Sequence, residues 1–160
     1  MILVEPSDEY SVQIASYRKE FLESGDSMDG TGGLRNFDDP IEFIAYSNCL
    51  KNPLTVPQGK APSTQYIFVR EDDRKVVGMI QIRHFLNEYL ENFGGHIGYS
   101  VSPRESRKGY ASQMLKFSLP ECKSLGIDKV LVTCSPENIG SKKTIIKKRR
   151  CVRFNRLRSA

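Results

Sequence analysis

Small and basic residues stand together immediately before a segment of helical periodicity, where residues 106–112 read SRKGYAS. The first N–H groups of a helix have no intrahelical partner, and the helix dipole adds partial positive charge there. Gly109 has no Cβ to keep a phosphate away, and Arg107 and Lys108 add full charges. The segment therefore predicts a site for a pyrophosphate-bearing cofactor, although a glycine before a helix can also serve only as a turn residue.

A strand must lead into this turn and a helix must leave it. Ile97, Tyr99 and Val101 alternate with small residues, which is the period of a strand. Pro103 ends that strand, because a proline has no N–H for a ladder. After Gly109 the apolar residues recur at threes and fours, as on a helix packed against a sheet. They are Ala111, Met114, Leu115, Leu119, Cys122 and Leu125.

Four segments, at a specific spacing, resemble the GNAT superfamily of N-acetyltransferases. They are residues 98–103 (GYSVSP), 107–111 (RKGYA), 125–130 (LGIDKV) and 138–141 (NIGS). The resemblance extends over residues 1 to about 146 and implies that acetyl-coenzyme A is the acetyl donor, held through its pyrophosphate at a [Q/R]-x-x-G-x-[G/A] turn. Ser106 stands where the family carries Gln or Arg, which affects one side-chain contact and not the site.

The resemblance also assigns residues to the donor site and to catalysis. The implied cofactor-binding residues are Ser100, Val101, Arg107, Lys108, Gly109, Tyr110, Ala111, Ser112, Asn138 and Ser141. In the family, a backbone N–H near the end of the fourth strand points at the thioester carbonyl, and Val101 occupies the matching position. An oriented amide at a developing oxyanion is often the largest catalytic contribution, so Val101 is expected to be catalytic through its backbone.

The sequence leaves alternatives open for both proton transfers. His96 stands where many relatives carry a Glu, and it could take a proton from the amine directly or through water. The alternative is that His96 only makes a hydrogen bond at the start of the strand. Many relatives use a tyrosine of the last helix as the acid for the thiolate, but the aligned residue here is Ile145. Either no general acid is used or another group serves.

The acceptor is expected to be a small-molecule or peptide amine, bound between loop 24–38 and segment 84–93. Aspartates in the first of these regions or directly after it could attract a cationic amine, or they could only form turns and caps. They are Asp26, Asp29, Asp38 and Asp39.

Composition narrows the class of protein. The chain has 160 residues, 39% hydrophobic and 27% charged, as expected for one soluble domain. No stretch has the length or apolarity of a signal peptide or a membrane span. Its four cysteines lack the paired spacing of a zinc site, so no metal is predicted. We expect free thiols, mostly on apolar faces, in a reducing cytoplasm.

Local patterns predict the remaining elements. Residues 2–4 read as a strand, and Ser7 as the cap of a helix over residues 8–23. Asp39 is expected to cap a second helix. Strands over residues 65–70 and 75–83 should form a hairpin, and residues 129–134 a buried strand. The first helix should bury Tyr10, Ile14, Tyr17 and Phe21, and the second Ile41, Ile44, Ala45 and Cys49.

These elements define an α/β fold, a GNAT-like mixed central sheet flanked by helices, with the C-terminal strands altered or missing. The acetyltransferase domain is expected at residues 1–146 and a basic tail at residues 147–160. Seven basic residues lie in the tail, and removing them from the net charge of +5 leaves −2 for residues 1–146.

The tail departs from the family, which continues with a Lys-Asn-Gly-Gly turn and two strands. Deleting one adenine from a possible coding sequence of residues 147–154 restores Lys-Asn-Gly-Gly-Val-Phe-Asp, which indicates a frameshift. The alternative is a natural short variant with a disordered basic end. Val152 and Phe154 could form a replacement strand, or a second copy in a homodimer could cover the sheet edge.

The favoured prediction is an N-acetyltransferase that acts on a primary amine. Ile145 and the altered C-terminus support an alternative, a non-catalytic module that binds acetyl-coenzyme A or a partner. Nucleic-acid binding through the tail is disfavoured, because the rest of the chain is slightly acidic and the tail offers only Phe154 for stacking.

Overall fold

Four antiparallel strands, neighbours in chain order, form the main sheet of the computed structural model. The structure describes residues 1–135, 137–147 and 152–153, the last pair as backbone only. The strands are β1 (Ile2–Val4), β2 (Ser63–Arg70), β3 (Lys75–Arg83) and β4 (Ile97–Val101). The predicted hairpin of β2 and β3 is confirmed, and β2 begins at Ser63 rather than at residue 65.

Helices cover both faces of this sheet. One core cluster joins α1 (Ser11–Ser24) and α2 (Pro40–Lys51) to residues such as Ile67 and Met79. The other joins α3 (Tyr110–Ser124) and α4 (Ile139–Lys147) to Ile80 and Ile82. Side chains of β4 pack against this second cluster at alternate positions, which are Ile97, Tyr99 and Val101. The predicted mixed α/β sheet with flanking helices is confirmed.

The first helix buries the predicted face but begins differently. Asp8–Tyr10 form a 3-10 turn, and α1 follows from Ser11. The Ser7 side chain makes no capping hydrogen bond, so that prediction was wrong; the Tyr10 N–H instead donates to the Ser7 carbonyl at 2.9 Å. The four predicted core residues of this helix are all buried.

The second helix has the predicted cap and a different buried face. Asp39 Oδ1 accepts from the Ile41 N–H at 2.8 Å, and Pro40 opens the helix. Of the four predicted core residues only Ile44 is buried, while Ile41, Ala45 and Cys49 are exposed. Fully buried Phe43 sits edge-on to Phe37 and sets the rotation of α2. The face that packs inward comprises Phe43, Ile44, Ser47 and Leu50.

The strand predicted over residues 129–134 is much shorter. β5 is Val130–Leu131, and β6, Val152–Arg153, pairs with it in parallel. Val132 makes isolated bridges to Gly95 and Ile97, and the described residues show no β4–β5 ladder beyond them. Strands β4 and β5 therefore meet at one end and leave a gap at the other. Apart from Lys147 and β6, the predicted basic tail lies outside the described residues.

A glycine-rich loop crosses β4 near its start, at Gly98, at very short range. Gly30 has φ +70°, and a Cβ built there would lie 2.1 Å from the Gly98 carbonyl carbon and oxygen. Gln65 Nε2 donates to the Gly30 carbonyl at 3.0 Å and holds the loop to β2. The loop can lie on the strand because both residues at the crossing lack side chains. No helix in the described residues is long and apolar enough to span a membrane.

Gly30→Ala should lower the free energy of unfolding by about 2 kcal/mol or more, because the added methyl group overlaps the β4 backbone and the left-handed conformation becomes strained. Urea denaturation followed by circular dichroism measures the loss. Gly25→Ala is the matched control. Gly25 has φ +72° but nothing within 4 Å of its Cβ position, so only the conformational cost of about 1 kcal/mol is expected. Equal losses in the two variants would contradict the proposed overlap.

Candidate active site

Two cavities lie along the exposed edge of β4, and a third adjoins them beside β2 and β3. The helix-start cavity, about 660 Å³, lies between the end of β4 and the first turns of α3 and α4. The strand-gap cavity, about 110 Å³, lies between residues 97–99 and 133–135. The loop cavity, about 350 Å³, lies between residues 28–33 and 87–90. The carboxylate-bearing residue Asp29 lines all three.

The helix-start cavity brings together nine of the ten predicted cofactor residues. They are Ser100, Val101, Arg107, Gly109, Tyr110, Ala111, Ser112, Asn138 and Ser141. The tenth, Lys108, does not line the cavity, because its ammonium group lies 2.8 Å from the carboxylate of Glu105. Two further lining residues, Lys143 and Thr144, escaped the sequence analysis. Their position one helical turn after Gly140, which also lines the cavity, was the available signal.

The first turn of α3 presents unsatisfied amides to this cavity. Gly109 is left-handed, with φ +82°, and no side chain caps the helix from that position. The first bond back to the turn comes from the Gln113 N–H, which donates to the Gly109 carbonyl at 3.2 Å. The amides of Tyr110, Ala111 and Ser112 precede it, and such amides are the ordinary ligands of an anion at a helix N-terminus.

Glycine is needed at position 109 for its conformation rather than for space. A Cβ built on Gly109 would meet nothing within 4 Å. Arg107 is also left-handed, with φ +64°, although it is not a glycine. A non-glycine residue in this region costs roughly 1–2 kcal/mol, so the turn must be held by contacts elsewhere.

Those contacts are supplied by Glu105, a buried carboxylate. Its oxygens lie 3.0 Å from Arg70, 3.2 Å from Lys75 and 2.8 Å from Lys108. Arg70 also donates to the Tyr110 hydroxyl at 3.1 Å. The hydrogen bond from Lys108, with further contributions from Arg70 and Lys75, lowers the pKa of Glu105 to about 2. The network joins the turn and the start of α3 to the β2–β3 hairpin.

The backbone of Val101 faces the gap between β4 and β5. Ser102 N–H donates to the Val77 carbonyl at 2.9 Å, and Arg83 N–H donates to the His96 carbonyl at 2.8 Å. Hydrogen-bonding direction alternates along an antiparallel strand, and Val101 is paired with Gly78 in the intervening register. The Val101 N–H is therefore directed away from β3. On that side the described residues supply no strand beyond the bridge at Ile97.

His96 makes hydrogen bonds that join β4 to β5. Its ring Nδ1 accepts a hydrogen bond from the Leu131 N–H at 3.0 Å, and the backbone N–H of His96 donates to the Leu131 carbonyl at 2.8 Å. Burial, and secondarily the charge of Arg83, lower the pKa of His96 below its usual value of 6.5. His96 lines none of the three cavities. The geometry supports the alternative that this histidine joins β4 to β5, and it does not support a role as the base.

The two chain segments predicted for the acceptor lie on opposite sides of the loop cavity. Ser63 and Gln81 on the sheet are buried and joined by a hydrogen bond of 3.0 Å, and both line this cavity. Of the candidate aspartates, Asp39 caps α2 and Asp38 pairs with Arg18 at 2.7 Å. Asp26 lines only the helix-start cavity, which leaves Asp29 as the carboxylate shared with the loop cavity.

The position aligned with the family's acid cannot contribute chemistry. Ile145 is fully buried in the core between α3, α4 and the sheet. Tyr99, in contrast, lines both the helix-start and the strand-gap cavities. Sequence reasoning placed it only on the strand face, and its alternation with Val101 was the signal that it shares the site.

The sequence matches one known protein family. The profile of the acetyltransferase (GNAT) family matches residues 33–145, a span that holds β4, α3 and most of α4. None of the curated proteins compared with the chain matches it. In the described part of the chain, no three His, Cys, Asp or Glu side chains are grouped as metal ligands.

The Glu105 network predicts an acid-dependent loss of stability. The pKa of Glu105 in the folded protein lies below its ordinary value of 4.5. The contribution of the ionised carboxylate to stability is therefore complete above about pH 4.5 and is lost as the pH falls toward 2. Urea denaturation between pH 7 and pH 2 should therefore show a shallower decline for Glu105→Gln than for the wild type. At pH 7 the variant should be less stable by about 2 kcal/mol.

Glu23→Gln is the matched control. Glu23 makes ion pairs with Lys19 and Arg104 on the surface, and exposed pairs contribute little to stability. The stability of the Glu23→Gln variant should decline with falling pH as that of the wild type does. If Glu105→Gln also follows the wild type, the network does not anchor the turn.

Proposed function

The chain belongs to the GNAT family of acetyltransferases, and we propose that it transfers an acetyl group from acetyl-coenzyme A to a primary amine. The observation that carries this proposal is the Val101 N–H, which points into the gap beside the helix-start cavity. A fixed amide donor in that position suits the oxyanion that forms when an amine attacks a thioester carbonyl.

The start of α3 supports pyrophosphate binding in the same cavity. The free amides of residues 110–112 and the guanidinium of Arg107 provide neutral and charged donors on one wall. Lys143 adds a second cation from α4. With the pyrophosphate at this end, the extended pantetheine arm would run toward Val101, along a cavity lined continuously by β4 and α4.

Asp29 supports an acceptor that carries a positive charge. Asp29 lines the helix-start, strand-gap and loop cavities. An ammonium group held there would be close to the thioester site, while the rest of the acceptor would occupy the loop cavity. The neutral amine needed for attack would form by loss of a proton to water or to Asp29.

Arg107→Gly should weaken acetyl-coenzyme A binding about tenfold, since a charge-assisted phosphate contact contributes roughly 1.5–3 kcal/mol. Stability should change by less than about 1 kcal/mol, because relief of the left-handed strain offsets the greater chain entropy of glycine. Isothermal titration calorimetry and urea denaturation measure the two effects. Arg104→Ala, which removes an exposed cation from the same turn, should bind normally. Equal affinities for all three proteins would refute the placement of the pyrophosphate.

Transfer itself is tested by thiol release from acetyl-coenzyme A with a panel of mono-, di- and polyamines, amino acids and peptides. We expect release with at least one cationic amine, and at least a tenfold loss of kcat/KM in Asp29→Asn with acetyl-coenzyme A affinity unchanged. Binding of acetyl-coenzyme A without release for any amine would favour the non-catalytic module. Absence of binding would refute both functions.

A further inference from the structure

We propose that the hydroxyl of Tyr99 donates a proton to the coenzyme A sulfur as the acetyl group leaves. This inference rests on the proposed function and assigns the proton donor that Ile145 cannot supply. Neither the family profile nor the sequence analysis points to Tyr99 for this role.

Tyr99 lies where the donor's sulfur would be placed. It is two residues before Val101 and faces the same side of β4, toward α3 and α4. Only four residues line both the helix-start and the strand-gap cavities among those described: Asp29, Tyr99, Asn138 and Ser141. Asn138 caps α4 through its side-chain oxygen, which accepts from the Ser141 N–H at 2.9 Å. Tyr99 and Asp29 are the pair with titratable groups.

The Tyr99 hydroxyl is buried without a hydrogen-bond partner among the described residues. The Ser141 side chain is a polar neighbour that offsets part of the rise in the pKa of Tyr99, but the pair does not have hydrogen-bond geometry. Other tyrosine hydroxyls close to the core do have partners: Tyr17 bonds Ser100 at 3.1 Å and Tyr66 bonds Glu121 at 3.3 Å. An unmet buried hydroxyl costs free energy, and a polar atom of a bound molecule would remove that cost.

The environment keeps this hydroxyl protonated. Burial raises the pKa of Tyr99 to about 12, so the phenol carries its proton at neutral pH. A neutral O–H buried beside the helix-start and strand-gap cavities is a donor for an anion that appears only during the reaction, and such a contact favours the transition state over the ground state.

The amine nitrogen forms a bond to the carbonyl carbon while the Val101 N–H stabilises the oxyanion. The carbonyl re-forms, the C–S bond breaks and its electron pair goes to sulfur. The Tyr99 O–H proton moves to that sulfur and gives the thiol. The surplus proton on the new amide nitrogen passes through water to the phenolate oxygen, which restores Tyr99. No oxidant or other reactant is needed.

A binding experiment tests this contact without an acceptor. Coenzyme A and desulfo-coenzyme A are titrated into wild type, Tyr99→Phe and the control Tyr66→Phe at pH 7 and pH 9. Free thiols have pKa values near ~8.5, so the sulfur becomes an anionic acceptor over this range. The preference for coenzyme A should rise several-fold with pH in the wild type and in Tyr66→Phe, and should stay constant in Tyr99→Phe.

The outcomes separate this inference from the proposed function. An equal rise in Tyr99→Phe would overturn the Tyr99 contact while leaving the donor site intact. If wild type binds neither compound, the proposed function fails and the inference fails with it.

Catalysis and folding give independent readouts on the same variants. Tyr99→Phe should lower kcat roughly 100-fold, within the usual range for a general acid, with the KM for acetyl-coenzyme A unchanged. Its melting temperature should equal or exceed that of the wild type, because the removed hydroxyl has no partner to lose. Unchanged kcat would refute the role. A melting temperature lowered by several degrees would show instead that the hydroxyl is a structural hydrogen-bonding group.

Discussion

The pairing of β4 with β5 stops at Ile97, and the rest of the site depends on where it stops. His96 sits at that boundary. Its ring accepts the Leu131 N–H and its backbone donates to the Leu131 carbonyl, so one residue joins the strands through both side chain and main chain. Beyond this point the strands separate. A sheet normally satisfies its main-chain groups, so an edge left open inside the molecule is available to a bound substrate.

The same boundary explains why adjacent residues of β4 have different tasks. Even-numbered residues such as Ser102 bond β3 through the main chain, whereas Tyr99 and Val101 direct theirs toward the gap. The side chains of Tyr99 and Val101 meanwhile face α3 and α4. One short strand thus holds a backbone donor and a side-chain hydroxyl on the same cavity. Gly98, immediately before Tyr99, admits the Gly30 loop and brings Asp29 to the junction of the cavities.

The phosphate turn shows how a locally unfavourable conformation is maintained by distant contacts. Arg107 and Gly109 are both left-handed, and that conformation is unfavourable for an arginine. Glu105 holds the turn in place, because it is buried against cations from β2, β3 and the turn itself. The Lys108 ammonium group is paired with Glu105 in this network and does not line the cavity. The turn therefore presents one cation and the helix amides to the cavity, rather than two cations.

Much of the architecture could be predicted because it is local. The alternation of β4, the spacing of α3 and the Asp39 cap reflect interactions within a few residues, and those elements formed where the sequence indicated them. Most predicted cofactor residues meet in one cavity for the same reason, since the strand end, turn and helix start are consecutive. The rotation of α2 was not predictable from periodicity, because Phe43 competes with Ile41 for the core and contacts with Phe37 decide the outcome.

The roles of single polar residues were decided by tertiary structure alone. Lys108 and Arg107 are neighbours of like charge, and only the position of Glu105 shows which one is neutralised. His96 reads as a candidate base until Leu131, 35 residues away, takes its ring nitrogen. Tyr99 reads as a strand residue until its hydroxyl is found without a partner. The sequence determines which groups exist and which local elements carry them, but a group's chemistry depends on its long-range partners, and only the folded chain brings those into contact.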